Sequence, residues 1–434
     1  MKILDFEKKI GIEVFLTKNK GIGGKLRLMP QDFEVEELSK YPKENIEGKY
    51  SIVELTAINW ETNHLIKELS NRLHISRKRI SFAGTKDKRS KSKRLMSFYK
   101  VSEKNLYDVH LKDVEIKYLF NSNEPVRIGN LIGNKFNINI KNINKIESKD
   151  IEKTYSSIRD HGGFPNFFGI QRFGAIRPIT HIVGKYIVKG DFKKAVMTYI
   201  GNPFKGEDNI SYKLRDELEK THDFSSALKS YPNHLGLEKC MLNKLVVDSK
   251  DFIGAIKELP KNLQTMFIYA YQSYLFNKII SRRISNNIPL NRAIIGDIIY
   301  PIKNNEIDNR EIPVSKINID KVNDEISKGN AFITGVLFGS NSRFSKGEIG
   351  EIEHKIIKEE KIDNRDFIIP EIPYLSSKGS RRPILASINN FNYDINLNDI
   401  DDNTFVNIKF DLTKGSYATS LLREFMKSDD IKNY

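Results

Sequence analysis

Residues 82–89 read FAGTKDKR, and the reading of this stretch decides how the 434-residue chain is organised. Between positions 72 and 100 the sequence carries eleven Lys or Arg residues and a single acid, Asp87. Cationic neighbours favour the anionic form of a carboxylate. An acid within a basic patch also weakens the attraction of that patch for phosphate, a cost unless the acid has a task of its own. Apolar residues 80–82 and Gly84 read as a strand entering a tight turn that projects Asp87 from a rigid element. The plainer alternative is a solvated turn in which Asp87 pairs with Lys86 or Lys88. Ser92 and Arg94 follow, ahead of a strand at 95–101. Ser92 can hydrogen-bond the turn and Arg94 can hold a carboxylate or a phosphate, or both can lie on a solvated basic edge.

The chain around this stretch is long enough for two or three domains with a sizeable core. Its 39% hydrophobic and 29% charged residues are ordinary for a soluble globular protein. The net charge of +15 points to a polyanionic partner, nucleic acid or an acidic membrane surface. One cysteine, Cys240, excludes a disulfide framework or a multi-cysteine metal site and fits a reducing compartment. The N-terminus lacks an apolar h-region, and no apolar run approaches the ~18 residues of a membrane helix. A soluble cytoplasmic protein is expected.

Upstream of the Asp87 stretch, Gly21, Gly23 and Gly24 lack the G-x-G-x-x-G spacing of a dinucleotide fold. In residues 30–37, PQDFEVEE, Phe33 and Val35 alternate with Asp32, Glu34 and Glu36 as in a strand. Phe33 by itself reads as core. Residues 50–55 form another strand. Thr62 or Asn63 then caps a helix with Leu65, Ile66, Leu69 and Leu73 on one face. Downstream, residues 133–141 alternate strictly, with Phe136, Ile138 and Ile140 on one face. Asn134 stands at that strand's entrance, where its amide bonds a base edge or caps a turn. Residues 162–174 crowd aromatics, glycines and an Arg around Asn166 and Gln171, either a structural hinge or an RNA-contact loop. From 179 to 282 the pattern is helical with breaks at Pro203, Pro232 and Pro260. Residues 264–283 are apolar nearly all round, with Gln272 and Asn277 read as satisfied interior amides. Residues 331–339 resume an ordered core, 348–361 read as a charged solvated helix, and 403–411 alternate as a strand. A last helix, within 414–426, starts from a Ser416 cap.

Seven of these stretches resemble, in order, the motifs of the TruD family of tRNA pseudouridine synthases. They are PQDFEVEE, FAGTKDKR, GNKFNINI, PNFFGIQRFG, AYQSYLFN, TGVLFG and KGSYATSLLRE, running from position 30 to 424. The resemblance implies an α+β fold: a pseudouridine synthase core on a mixed, largely antiparallel sheet, with an inserted TruD-specific α/β domain. Residues 1–163 and 383–434 would form the discontinuous catalytic domain, and 164–382 the insertion. The family's catalytic aspartate falls on Asp87. Its substrate contacts fall on Phe33, Asn134, Phe136 and Tyr417, and Arg27 occupies a position the family keeps basic. The implied reaction isomerises uridine to pseudouridine at position 13 of tRNA, with no metal or cofactor and no obligate protein partner. This chain departs from its relatives in having Ser92 and Arg94 where a Thr and a Gln are usual, and Tyr417 where some have Phe.

Three function classes follow. In an isomerase, Asp87 works on a flipped-out uridine, Lys86 or Arg94 pairs with it, and Phe33, Phe136 and Tyr417 stack on the base. A non-catalytic RNA-binding protein, such as a tRNA chaperone, would share the basic surface and the aromatics. A phosphoryl-transfer enzyme is disfavoured, because FAGTKDKR lacks the G-x-x-x-x-G-K-[ST] spacing and no paired acids suggest a metal.

Overall fold

The computed structural model describes residues 3–143, 148–174, 176–303, 306–396 and 404–434. The chain divides into two compact units, one of Thr17–Phe164 with Ala386–Tyr434 and one of Met1–Leu16 with Pro165–Leu385. The expected boundary placed the first residues with the sheet. They group instead with the second unit, where Ile10 O accepts from Asn277 Nδ2 at 3.0 Å and Gly11 O from Ser281 Oγ at 2.8 Å.

The first unit is built on one sheet. Its strands are β1 (Gly23–Lys25), β2 (Phe33–Ser39), β3 (Tyr50–Ile58), β4 (Ile80–Phe82), β5 (Lys91–Tyr99), β6 (Val114–Ser122) and β7 (Leu131–Ile143), with two more from the tail, Asn389–Asn396 and Phe405–Thr413. The spatial order runs Asn389–Asn396, Phe405–Thr413, β7, β2, β5, β3, β6, with β1 on β7 and β4 on β5. Within this sheet, among the described residues, only β2 and β5 run parallel, in register Glu34↔Lys91, Val35↔Ser92 and Glu36↔Lys93. The sheet is therefore mixed and largely antiparallel, as the motif order implied. Asn403 lies outside the described residues.

Alternation sorts the side chains as a two-residue period requires. Phe33, Val35, Phe136, Ile138 and Ile140 are buried. On the other face Glu34 pairs with Lys91 at 2.8 Å and Glu36 with Lys93 at 3.2 Å. Helices cover the apolar face, among them Ser148–Asp160, whose Ile151 and Ile158 are buried with Phe136 and Ile138. Leu65, Ile66 and Leu69 of Thr62–Arg72 pack with Val53, Leu55, Met96 and Phe98. Leu421, Leu422 and Phe425 of Ala418–Met426 pack with Phe136, Ile138 and Phe410. Each such side chain contributes about 1.5–3 kcal/mol by leaving water.

Both expected helix caps move by one or two residues. Glu61, not Thr62 or Asn63, caps the first helix, its carboxylate accepting from Asn63 N and His64 N. The N-cap of the last helix is Tyr417, and Ser416 stands before it.

The second unit is mainly helical. Its helices include Thr180–Val188, Phe192–Ile200, Asn209–Thr221, Phe224–Ser230, Gly236–Val247, Phe252–Lys257 and Lys261–Ser285, and the three expected prolines all fall between helices. Asp191, Asp208, Asp223 and Asp251 each cap one of them by accepting a backbone N–H. In this unit Ala331–Leu337 pairs antiparallel with Ile298–Lys303 on one side and with Ser380–Pro383 on the other. The long helix is buried, and its two amides are satisfied as expected. Gln272 donates to Phe338 O and to Ser377 Oγ, and Asn277 bonds Phe168 N, Phe168 O and Ile10 O. The helix Gly347–Glu360 is not simply a solvated charged face. Its Glu353 is fully buried against Arg381, and Glu360 takes Lys185 and Lys278.

Candidate active site

The β4–β5 connection, residues 83–90, is a loop wider than the tight turn expected from Gly84, and it is fastened on several sides. Lys86 N donates to Thr62 Oγ1 at 3.0 Å. Ser90 Oγ donates to Asp87 O at 2.7 Å, and Arg89 Nη2 to Leu28 O at 2.9 Å. Lys86 Nζ reaches Glu37 Oε1 at 2.5 Å, with both side chains almost wholly buried. The anchors hold the backbone of Asp87 and its neighbours, whereas its own side chain is 48% exposed. The loop is therefore held by its neighbours while its carboxylate faces solvent.

Asp87 is paired, and its partner is Arg27. Arg27 Nη2 stands 2.5 Å from Asp87 Oδ2. The Arg27 guanidinium lies 4.0 Å above the centre of the Phe33 ring, a stacking that fixes its plane. Arg27 reaches this position with a left-handed backbone, φ 58°, at the bend between β1 and β2. Its Nε is buried with no hydrogen-bond partner.

Lys86 and Arg94, the partners expected for Asp87, are engaged elsewhere. Glu37 shares the buried face of β2 with Phe33 and Val35, and Lys86 neutralises it there. Burial is the chief influence on the Lys86 ammonium and pushes its pKa down, against the opposing pull of Glu37. Arg94 is 1% exposed and points inward from β5. It donates to Thr62 Oγ1 at 3.0 Å and to Ser92 Oγ at 2.5 Å. Burial pushes its pKa down to about 10, opposed by Glu37 and Glu61. Arg94 is thus an internal brace and offers no surface contact for phosphate. Ser92, expected to bond the turn, accepts from Arg94 and donates to Ala57 O at 3.4 Å.

Asn134 lies in register opposite Glu37 on β2, so the two side chains share a face. Its Oδ1 is buried with no hydrogen-bond partner, an orphaned acceptor next to the Glu37–Lys86 pair. Phe33 and Phe136 are 3% and 7% exposed. Their rings meet edge to face at 6.1 Å, and Phe136 also stacks on Phe410 at 5.1 Å. Neither is an open stacking platform as it stands, because these rings fill the core beneath Arg27. Tyr417 is half-buried at the start of the last helix. The aromatics of 162–174 are likewise core: Phe164, Phe167, Phe168 and Phe173 are all buried.

The sequence reading missed Glu37 and Thr62. Glu37 left a signal, since it continues the 33, 35 parity of buried positions and so places a carboxylate on the apolar face. Thr62 read as a cap, and its hydroxyl instead receives both Lys86 N and Arg94 Nη1.

A half-exposed carboxylate with one oxygen held by a stacked guanidinium and the other open to a ligand can act as a nucleophile or stabilise developing positive charge. Residues 9–425 match the family model for tRNA pseudouridine synthase D (TruD). A protein of Methanococcoides burtonii named "Probable tRNA pseudouridine synthase D" is 44% identical over 433 residues, covering 98% of each chain. One of the same name from Methanosarcina acetivorans is 41% identical over 440 residues, covering 100% of this chain and 99% of its own. A crystal structure from Methanosarcina mazei assigned to tRNA pseudouridine synthase D superposes with a TM-score of 0.88 at 40% identity, covering all of both chains.

Proposed function

The chain belongs to the TruD family of tRNA pseudouridine synthases and is an isomerase of that class, and on that premise we propose that it converts uridine 13 of cytoplasmic tRNA to pseudouridine with Asp87 as the catalytic carboxylate. The reaction breaks the N1–C1′ glycosidic bond, turns the uracil and joins its C5 to ribose C1′, with the C5 proton given up to solvent and N1 taking one in return. The observation that carries this reading is the Asp87 carboxylate, half open to solvent, 2.5 Å from Arg27 and mounted on a loop anchored on both sides.

The target base must first leave the RNA stack, at a cost of a few kcal/mol. Tyr417 is the ring proposed to offset part of it, since stacking contributes about 1–3 kcal/mol per base. Phe33 and Phe136 serve from below, Phe33 as the floor that keeps Arg27 flat. Asp87 then attacks C1′ or C6, or stabilises charge at C1′ while the glycosidic bond is broken. Arg27 holds one carboxylate oxygen and leaves the other for the sugar or base. Asn134 Oδ1, an acceptor in need of a donor, takes the uracil N3–H. That contact keeps the freed base oriented as it turns, and positioning of this kind supplies much of a barrier reduction.

The test is tritium release from C5-labelled uridine in tRNA, with the modified position read by sequencing. Wild type should release tritium and place pseudouridine at position 13. Asp87→Asn should lose turnover by several orders of magnitude and keep its tRNA affinity within a few-fold. Turnover that survives Asp87→Asn would remove the carboxylate from the mechanism. A wild-type protein that binds tRNA and modifies no uridine would favour the RNA-chaperone reading.

A further inference from the structure

A second cavity, of about 340 Å³, lies wholly within residues 165–385. One wall is a single face of the long helix. Tyr269, Gln272 and Ser273 stand at i, i+3 and i+4 and so project side by side. Facing them is the segment 377–380, and Arg172 closes a third side. Two glycines make this shape possible. A Cβ on Gly339 would come within 2.1 Å of Gly379 N, and Gly379 itself is left-handed at φ 78°. The two backbones therefore approach closely where a side chain would separate them.

The lining has a distinct chemistry. It holds no Asp or Glu, whereas the larger hollow on the exposed face of the sheet is lined by Glu34, Glu36, Glu54 and Glu115 among its lysines. Arg172 and Lys378 line the cavity and make no ion pair among the described residues. Arg172 is held 5.3 Å above the Phe168 ring, with its Nε buried and unbonded. Gln272 spends its amide nitrogen on Phe338 O and Ser377 Oγ, which orients the side chain and leaves Oε1 with no partner among the described residues. Tyr269 is 51% exposed, so its ring has a free face at the rim. Two uncompensated cations, a free aromatic face and a fixed amide acceptor are the complement of a nucleotide. The cations meet its phosphate, the ring its base, and the amide oxygen an N–H or a 2′-hydroxyl.

We propose that this cavity is a second nucleotide subsite, separate in its residues from the Asp87 loop, which takes one unpaired nucleotide of the RNA substrate. Tyr269 stacks on the base, Arg172 and Lys378 hold the adjoining phosphate, and Gln272 Oε1 accepts from the base edge or the ribose. The inference rests on the tRNA reading above. It also assigns a role to the motifs PNFFGIQRFG and AYQSYLFN that the isomerisation itself leaves unused.

The experiment measures the Kd of unmodified tRNA transcript by filter binding on the full-length protein across a salt series. Tyr269→Ala should raise Kd about 5- to 100-fold, and Tyr269→Phe, which keeps the ring, should stay near wild type. Lys378→Ala should flatten the log Kd against log salt slope by about one. Both side chains are exposed, so thermal unfolding should be unchanged in these variants. Free AMP, the other source of the same chemistry, should displace tRNA only at millimolar concentration. The proposal is overturned if Tyr269→Ala and Lys378→Ala bind tRNA as wild type does, or if AMP binds tightly without affecting tRNA. That result differs from a failure of the isomerase reading, in which wild type forms no pseudouridine whatever its affinity.

Discussion

Replacing Thr62 by Val tests whether the Asp87 loop is held from beneath. Thr62 is 1% exposed, and its Oγ1 accepts from Lys86 N and from Arg94 Nη1, both at 3.0 Å. Val keeps the shape of the side chain and removes that acceptor. A part-buried backbone donor and a buried guanidinium then lose a partner. Each such loss costs about 1–3 kcal/mol, and the charged donor sits at the upper end, so the total is about 2–5 kcal/mol. With a urea m-value of about 2 kcal/mol/M the unfolding midpoint should fall by about 1–2.5 M. The assay is direct, because the chain's one tryptophan, Trp60, lies two residues away in the same unit, and its fluorescence follows that unit alone. Turnover should fall as well, by about ten- to a hundredfold, since a loop freed at Lys86 lets Asp87 stray by an ångström or so. The comparison is Glu61→Ala, which removes the cap of the same helix. It should cost about 1 kcal/mol and leave turnover intact. If Thr62→Val shifts the midpoint no more than Glu61→Ala and retains full turnover, the hydroxyl does not position the loop and the reasoning fails.

Arg27→Lys keeps the charge beside Asp87 but loses the flat group stacked on Phe33, so turnover should drop about tenfold or more with tRNA affinity little changed; wild-type turnover in the Arg27→Lys variant would show that charge alone suffices. His181 supplies a pH dependence of the second unit. It is packed between Phe173 and Tyr274, and burial is the chief cause that pushes its pKa down to about 4, with Lys185 adding and Glu360 and a Lys9 backbone bond opposing. The unfolded imidazole titrates near 6.5, so the unfolded chain binds more protons between about pH 6.5 and 4, and stability is lost as pH falls through that window by up to about 3 kcal/mol. His181→Phe should flatten this part of the acid limb in unfolding experiments; an unchanged limb would assign it to other groups.

Much of the architecture was legible in local pattern. The alternation of 33, 35 and of 136, 138, 140 marks strands because a side-chain period of two requires no knowledge of the neighbour. The proline breaks delimit the helices of the second unit for the same reason. The four Asp caps between them are local features too, yet they emerged only with the structure. The order of the seven motifs identifies the family, and Asp87 stands out as the lone acid of a basic stretch.

The wiring of the site was decided only by the tertiary structure. Asp87 and Arg27 are 60 residues apart, and Lys86 and Glu37 are 49 apart. In the sequence, Lys86, Lys88 and Arg94 all lie nearer to Asp87 than Arg27 does. The parallel pairing of β2 with β5 sets which cation meets which acid. It buries Glu37 beside Lys86, and the buried carboxylate takes that lysine because the pair is neutralised out of water, leaving Arg27 to Asp87. Sequence periodicity determines which face a side chain occupies. The partner it meets there depends on which strand the chain lays alongside, and no local pattern carries that information.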